Sequence, residues 1–206
     1  MAEPPERSLR GSDLLADPVE QFARWYGHAR DHGQPEPEAA ALATAGADGH
    51  PSARFVLLRG FDDRGFVFYT NSRSRKGREL GENPWAAMAF RWATVDRQVR
   101  LTGPVTAVSE EESDTYFAGR PRGSQLNAWA SLQSEPAEGR DEMDRRAAEM
   151  EDRFARLPVP RPEWWHGYRI QPIEVEFWQQ GRFRFHDRFV YRRDDDGGWT
   201  RRRLYP

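Results

Sequence analysis

Between residues 39 and 108 the chain alternates short apolar runs with polar turn signals at a regular interval. ALATA at 41–45, SARFVLLRGF at 52–61, FVFYT at 66–70, WAAMAFRW at 85–92 and RQVRLTGPVTAV at 97–108 read as strands. Asp48-Gly49 and the Asp62 to Gly65 stretch supply hairpin turns between them. Strands this short and this evenly spaced pair as an antiparallel sheet that closes or nearly closes. The pattern resumes after a helical interval with YRI, IEVEFWQ at 173–179, FRFHDRFVY at 183–191, a turn from Asp194 to Gly198, and WTRRRLY. The fold class is therefore mainly β with peripheral helices, the C-terminal strands completing one barrel.

The helices carry their own signals. Asp17 caps a helix with Pro18 in its first turn and Glu20 completing a capping box. Val19, Phe22, Tyr26 and Ala29 then recur at helical spacing, and 30–38 is a linker. A short polar helix is expected at 74–82 and a second capping box, Ser109 with Glu112, starts a helix running to about 118. A third covers 138–157, with Met143, Ala147, Met150, Phe154 and Leu157 on one face. Residues 1–13 are expected to be a flexible segment and 14–206 a single domain.

Composition narrows the chemistry. The 206 residues include no cysteine, so disulfides, thiolate metal sites and cysteine nucleophiles are excluded. With 31 basic and 33 acidic residues the net charge is -2, which is not that of a general nucleic-acid binder. No apolar run approaches the ~18 residues of a membrane helix, and MAEPPERSLRG lacks the apolar core of a secretory signal, so a cytoplasmic chain is expected. Of the 31 basic residues, 30 are arginine and one, Lys76, is lysine.

Three arginine-bearing segments suit phosphate. Arg54 and Arg59 sit five apart on one expected strand, hence on opposite faces. NSRSRKG at 71–77 places Arg75 and Lys76 at a helix start, where free backbone N–H groups and two cations form an anion site. Tyr116, Arg120 and Ser124, spaced by four, share one side if the helix persists past Pro121. Arg184, His186 and Arg188 in RFRFHDR share one face of a strand, with Asp187 on the other. Glu174 and Glu176 read equally as a sheet-edge pair and an acid/base pair. His28 and His32 have metal-pair spacing without a third ligand and read as a surface pair, so no metal is expected. No nucleophile elbow, dinucleotide fingerprint or Walker motif is present. The residues alone define a small antiparallel barrel that binds an aromatic, phosphate-bearing ligand.

In order and spacing, RFVLLRGFDDRGFVFYTNSRSRKGREL, ENPWAAMAFRW, DRQVRLTG, YFAGRPRGSQLNAWAS, IEVEFWQ and RFRFHDRF resemble the pyridoxine (pyridoxamine) 5′-phosphate oxidases. The likeness runs from ADPVEQF to RRRLYP. It implies an FMN-binding split β-barrel, antiparallel and Greek-key-like, in a homodimer with FMN at the subunit interface. By this resemblance the flavin contacts are Arg54, Phe55, Val56, Leu57, Tyr69, Thr70, Arg75, Lys76, Gln98, Gln133, Ser134, Trp178 and Arg188. The substrate-phosphate contacts are Arg59, Tyr116, Arg120 and Ser124, and Arg184 and His186 cover the substrate ring as the catalytic pair. The implied reaction oxidises the 4′ alcohol or amine of a phosphorylated B6 vitamer to the aldehyde, passing a hydride to the flavin and then to dioxygen as hydrogen peroxide.

The chain departs from the family in three places. Arg59 stands where the family carries lysine, His166 replaces a glycine after two tryptophans, and Ser8 to Gly11 stand where an Arg-Arg-x-Tyr lid is usual. GRELGENPWA and GWTRRRLYP are also similar to the flavin oxidases of phenazine biosynthesis, which provide the alternative activity. A flavin-binding barrel without catalysis is the third. Intact Tyr116, Arg120 and Ser124 favour the phosphorylated substrate.

Overall fold

A computed structural model describes residues 8–206. Helix α1 (Pro18–Asp31) is followed by strands β1 (Ala39–Ala45), β2 (Pro51–Leu57), β3 (Gly60–Asp62) and β4 (Gly65–Asn71). Then come α2 (Arg75–Glu82), β5 (Trp85–Trp92) and β6 (Arg97–Ala107), and three helices, α3 (Glu110–Ala118), α4 (Arg122–Ala130) and α5 (Arg140–Arg153). Strands β7 (Trp165–Ile170), β8 (Glu174–Gln179), β9 (Asp187–Arg193) and β10 (Trp199–Leu204) close the chain. One antiparallel path runs β10-β9-β8-β6-β5-β1-β2, and a smaller group joins β3, β4 and β7.

Strand β6 belongs to both groups. Its residues 97–104 pair with β5 and β8, and Val105 to Ala107 pair with β7. The crossing bends the sheet into a half-barrel and needs a close backbone approach: a Cβ on Gly103 would lie 1.9 Å from the Gln171 carbonyl oxygen. Helix α1 fills the concave side. Phe22, fully buried, packs edge-on against Phe61, Phe66 and Phe90 at 4.8–5.0 Å between ring centroids. Asp17 caps α1 as expected, accepting from the Val19 and Glu20 amides.

The strict alternation along β5 buries Ala86, Met88, Phe90 and Trp92 and turns Ala87, Ala89 and Arg91 outward. With Ala53 and the half-buried Ala41 and Ala43 they make an outer sheet face of small side chains. Phe55 stands beside it, 79% exposed.

Several expected boundaries shift. The strand expected at 52–61 ends at Leu57, and the chain turns before β3, so Arg54 and Arg59 are not opposite faces of one strand. The helix through Tyr116 ends at Ala118, because Pro121 caps a new helix. Helix α5 spans 140–153 rather than 138–157. Residues 1–7 of the expected flexible segment lie outside the described residues. Residues 8–13 are packed, with Leu9 buried and Leu14 buried just beyond them. No helix among the described residues is long and apolar enough to cross a membrane.

Candidate functional site

A cavity of about 460 Å³ opens between β2, β4 and the α3–α4 turn. Arg59, Tyr69, Thr70, Lys76, Tyr116, Arg120, Ser124 and Gln133 line it, together with Phe55, Val56 and Leu57. The broken helix still delivers Tyr116, Arg120 and Ser124 to one wall, so the convergence expected of them holds by a turn instead of a continuous helix. Sequence reading missed Asn127 and Ser131 in the same wall. Their signal was present, since Ser124, Asn127 and Ser131 fall on one face of a helix.

Lys76 is the buried cation of this cavity, 7% exposed. Its Nζ donates to three neutral oxygens: Thr70 Oγ1 at 2.9 Å, Ser74 Oγ at 3.1 Å and Gln133 Oε1 at 3.2 Å. Burial, with repulsion from Arg54, pushes its pKa down to about 8, against a smaller upward pull from Glu79. Arg120 is the second cation. It lies over the Trp165 ring at 4.7 Å, and its Nη1 is buried without a hydrogen-bond partner among the described residues. Burial lowers its pKa, partly offset by Tyr116, and Arg59 lowers it further. The two cations thus have different electrostatic neighbours. Tyr69 stacks on Tyr116 at 3.9 Å and on Trp165 at 5.2 Å, and burial with nearby Glu112 raises its hydroxyl to about 12.

Arg54 and Arg75, expected among the flavin contacts, are both bonded to Glu79. Arg54 Nη2 donates to Glu79 Oε2 at 3.2 Å and Arg75 Nε to Oε1 at 2.8 Å. Thr44 and Ser52 donate to the same carboxylate at 2.5 and 2.6 Å. Burial opposes its ionisation, but these hydrogen bonds outweigh it and hold Glu79 down to about 2. Arg75 remains exposed, so its side chain does not line the cavity. Ser134 lies past the wall in a left-handed conformation, φ +76°, and lines a neighbouring cavity of about 450 Å³.

The remaining site residues form a second group. Gln98 lies opposite Trp178 and Trp178 opposite Arg188 across β6, β8 and β9. Strand β8 is four positions from β2 along the sheet path. Glu176 accepts from Arg188 at 2.7 Å and from Arg100 at 2.6 Å, while Glu174 accepts from Arg192 at 3.0 Å. Both carboxylates are therefore ion-paired sheet residues, which decides against an acid/base pair.

The expectation that Arg184, His186 and Arg188 share a strand face is wrong. Residues 182–184 form a tight turn, and β9 begins only at Asp187. The segment closes on itself: the Gly181 amide donates to His186 Nδ1 at 3.1 Å, and a Cβ on Gly181 would lie 1.9 Å from the Phe185 carbonyl oxygen. Phe183 and Arg184 both have positive φ, +55° and +65°, a strain of roughly 1–2 kcal/mol per residue. His186 ends 4.6 Å from the Trp178 ring, while Phe183, Arg184 and Phe185 project into solvent.

Fold and site together define a split antiparallel barrel with a cavity lined by cationic and aromatic side chains and a separate loop of basic residues. Residues 29–154 match the family model described as pyridoxamine 5′-phosphate oxidase, and 165–206 match the pyridoxine 5′-phosphate oxidase C-terminal dimerisation region. The pyridoxine/pyridoxamine 5′-phosphate oxidase of Rubrobacter xylanophilus is 58% identical over 92% of this chain and 87% of its own. That of Myxococcus xanthus is 50% identical over 92% of each chain. The structure of PhzG from Burkholderia lata in complex with tetrahydrophenazine-1-carboxylic acid superposes with a TM-score of 0.90 at 36% identity, covering 96% of this chain and 98% of that one. The chain belongs to the pyridoxine/pyridoxamine 5′-phosphate oxidase family, whose members are flavin-dependent enzymes built on the split barrel.

Proposed function

We propose that the protein oxidises pyridoxine 5′-phosphate or pyridoxamine 5′-phosphate to pyridoxal 5′-phosphate. The alcohol gives up two hydrogens to dioxygen, yielding the aldehyde and hydrogen peroxide; the amine also consumes water and releases ammonia. The observation that carries this reading is one cavity holding two cationic groups with different neighbours, Lys76 and the Arg59–Arg120 pair. A cofactor phosphate and a substrate phosphate would satisfy one each. Lys76 fits FMN because its three present partners are neutral, leaving its charge to be met by an anion. Bound FMN supplies the hydride acceptor and the reaction with dioxygen.

On this reading Thr70, Lys76 and Gln133 hold the cofactor from one subunit, and Gln98, Trp178 and Arg188 from its partner. The placement of the two groups on different elements, β4 and α2 against β6, β8 and β9, supports a second copy, as do the small-residue outer face and the C-terminal region's match to a dimerisation model. Arg59, Tyr116, Arg120 and Ser124 take the substrate phosphate. His186 accepts from the Gly181 amide through Nδ1, so its neutral ring carries the proton on Nε2 and offers it as a donor. Arg184 places a cation where loss of a proton from the reacting alcohol or amine leaves charge to be stabilised.

The test is peroxide release by the flavin-loaded protein with pyridoxine phosphate, pyridoxamine phosphate and a dihydrophenazine carboxylate. Turnover of a vitamer phosphate is expected. Turnover of the phenazine alone would transfer the reading to the activity suggested by the PhzG likeness. Protein that stays colourless with added FMN would end both.

A further inference from the structure

The chain preceding α1 is held against the strands that follow the Arg184 loop. Leu9 inserts its side chain into the barrel core. Its backbone amide donates to Asp187 Oδ2 at 2.8 Å, and its carbonyl accepts from Arg203 Nη2 at 2.6 Å. Arg203 also donates through Nη1 to Asp187 Oδ1, and its guanidinium lies over the Phe189 ring at 4.4 Å. Further along this strap, the carbonyl of Leu15 accepts from the Tyr191 hydroxyl at 2.7 Å and that of Leu14 from Arg201 at 3.0 Å.

Asp187 is the junction. It is the first residue of β9, next in sequence to His186, and is 7% exposed. Its two carboxylate oxygens meet two donors, one from the strap and one from β10. The loop before it is closed by its own short-range bonds, Phe185 N to Arg182 O at 2.9 Å and His186 N to Arg184 O at 3.0 Å. Two successive left-handed residues strain it. A strained, exposed turn keeps one geometry only where its ends are fixed, and a buried carboxylate cannot shift without leaving a donor unpaired.

We propose that Asp187 is a positioning residue: it clasps the N-terminal strap to the loop bearing Arg184 and His186, so that a docked strap holds that loop in its working geometry. The proposal rests on the substrate role given above to Arg184 and His186. Leu9 acts through its peptide group as well as its side chain, which explains why a segment remote in sequence from the loop is pinned at both N–H and C=O.

The test compares the flavin-loaded wild type with Asp187→Asn, with a variant lacking residues 2–9, and with the two combined. Asparagine keeps the shape but has one acceptor, so it serves only one of the two donors. Amide exchange over 182–186 should quicken about tenfold in either single variant, as for a locally released segment. Their kcat/KM for pyridoxamine phosphate should fall about tenfold while bound flavin per subunit is unchanged. The combined variant should be no worse than the truncation, because both break the same clasp. Unchanged exchange in the truncated protein, or losses that multiply in the combined variant, would overturn the clasp. Should the wild type oxidise neither vitamer, the exchange measurement still decides it, since it needs no substrate.

Discussion

The two halves of the site are built differently. Lys76, Arg59 and Arg120 line a formed cavity, Lys76 from α2 and the arginines from the short turns between β2 and β3 and between α3 and α4, with Lys76 and Arg120 partly desolvated before any ligand arrives. Arg184 and His186 sit on a strained turn, and the side chains at 183–185 point into solvent. The first half has already met the cost of organising charge, which is what tight anion binding requires. The second half is exposed and becomes useful only when something is brought against it. The contrast assigns binding to the formed half and chemistry to the loop, and each assignment can be broken separately.

The largest effect is expected in the loop. Arg184→Ala should lower kcat by roughly a thousandfold, within the usual range for a residue assisting proton transfer, with flavin retention unchanged by absorbance. Equal loss of both would erase the division between halves. Next is Lys76→Met, which should weaken FMN binding about a hundredfold, the scale of a hydrogen bond to a charged group. The same change should raise the melting temperature of the flavin-free protein, because it removes a buried charge whose pKa is depressed to about 8. Wild-type FMN affinity, measured by fluorescence titration, should decline as pH rises through about 8, where Lys76 loses its proton. Lys76→Met should show no such decline.

Sequence legibility followed the same division. The formed half was readable because its residues lie near regular elements: capping by Ser74, the turn at Pro121, the continuous apolar run of β4 and the alternation of β5 each leave a local signature. The loop was misread because RFRFHDRF alternates like a strand, and nothing local announces that Gly181 and His186 close a turn through a side chain–backbone bond. Arg54 and Arg75 were placed at the phosphate by charge and resemblance. Their bonds to Glu79 depend on β1, β2 and α2 meeting in space, over separations that no local pattern encodes. The docked strap escaped notice for the same reason, since its partners are 178 and 194 residues away.

Glu79 supplies the smallest and most specific test of the formed half. Its folded pKa of about 2 lies below the ordinary glutamate value of 4.5, so the folded state prefers the ionised carboxylate. The stabilisation is therefore complete above about pH 4.5 and disappears as pH falls toward 2. In Glu79→Gln the denaturation midpoint should be lower at neutral pH and should change less between pH 5 and pH 3 than in the wild type. The variant also frees Arg54 and Arg75 from their shared carboxylate while leaving the loop at 181–187 untouched. FMN retention should change and the turnover of the loaded enzyme should not. A loss of turnover at full flavin occupancy would show that Glu79 reaches the chemistry, and the formed half would then do more than bind.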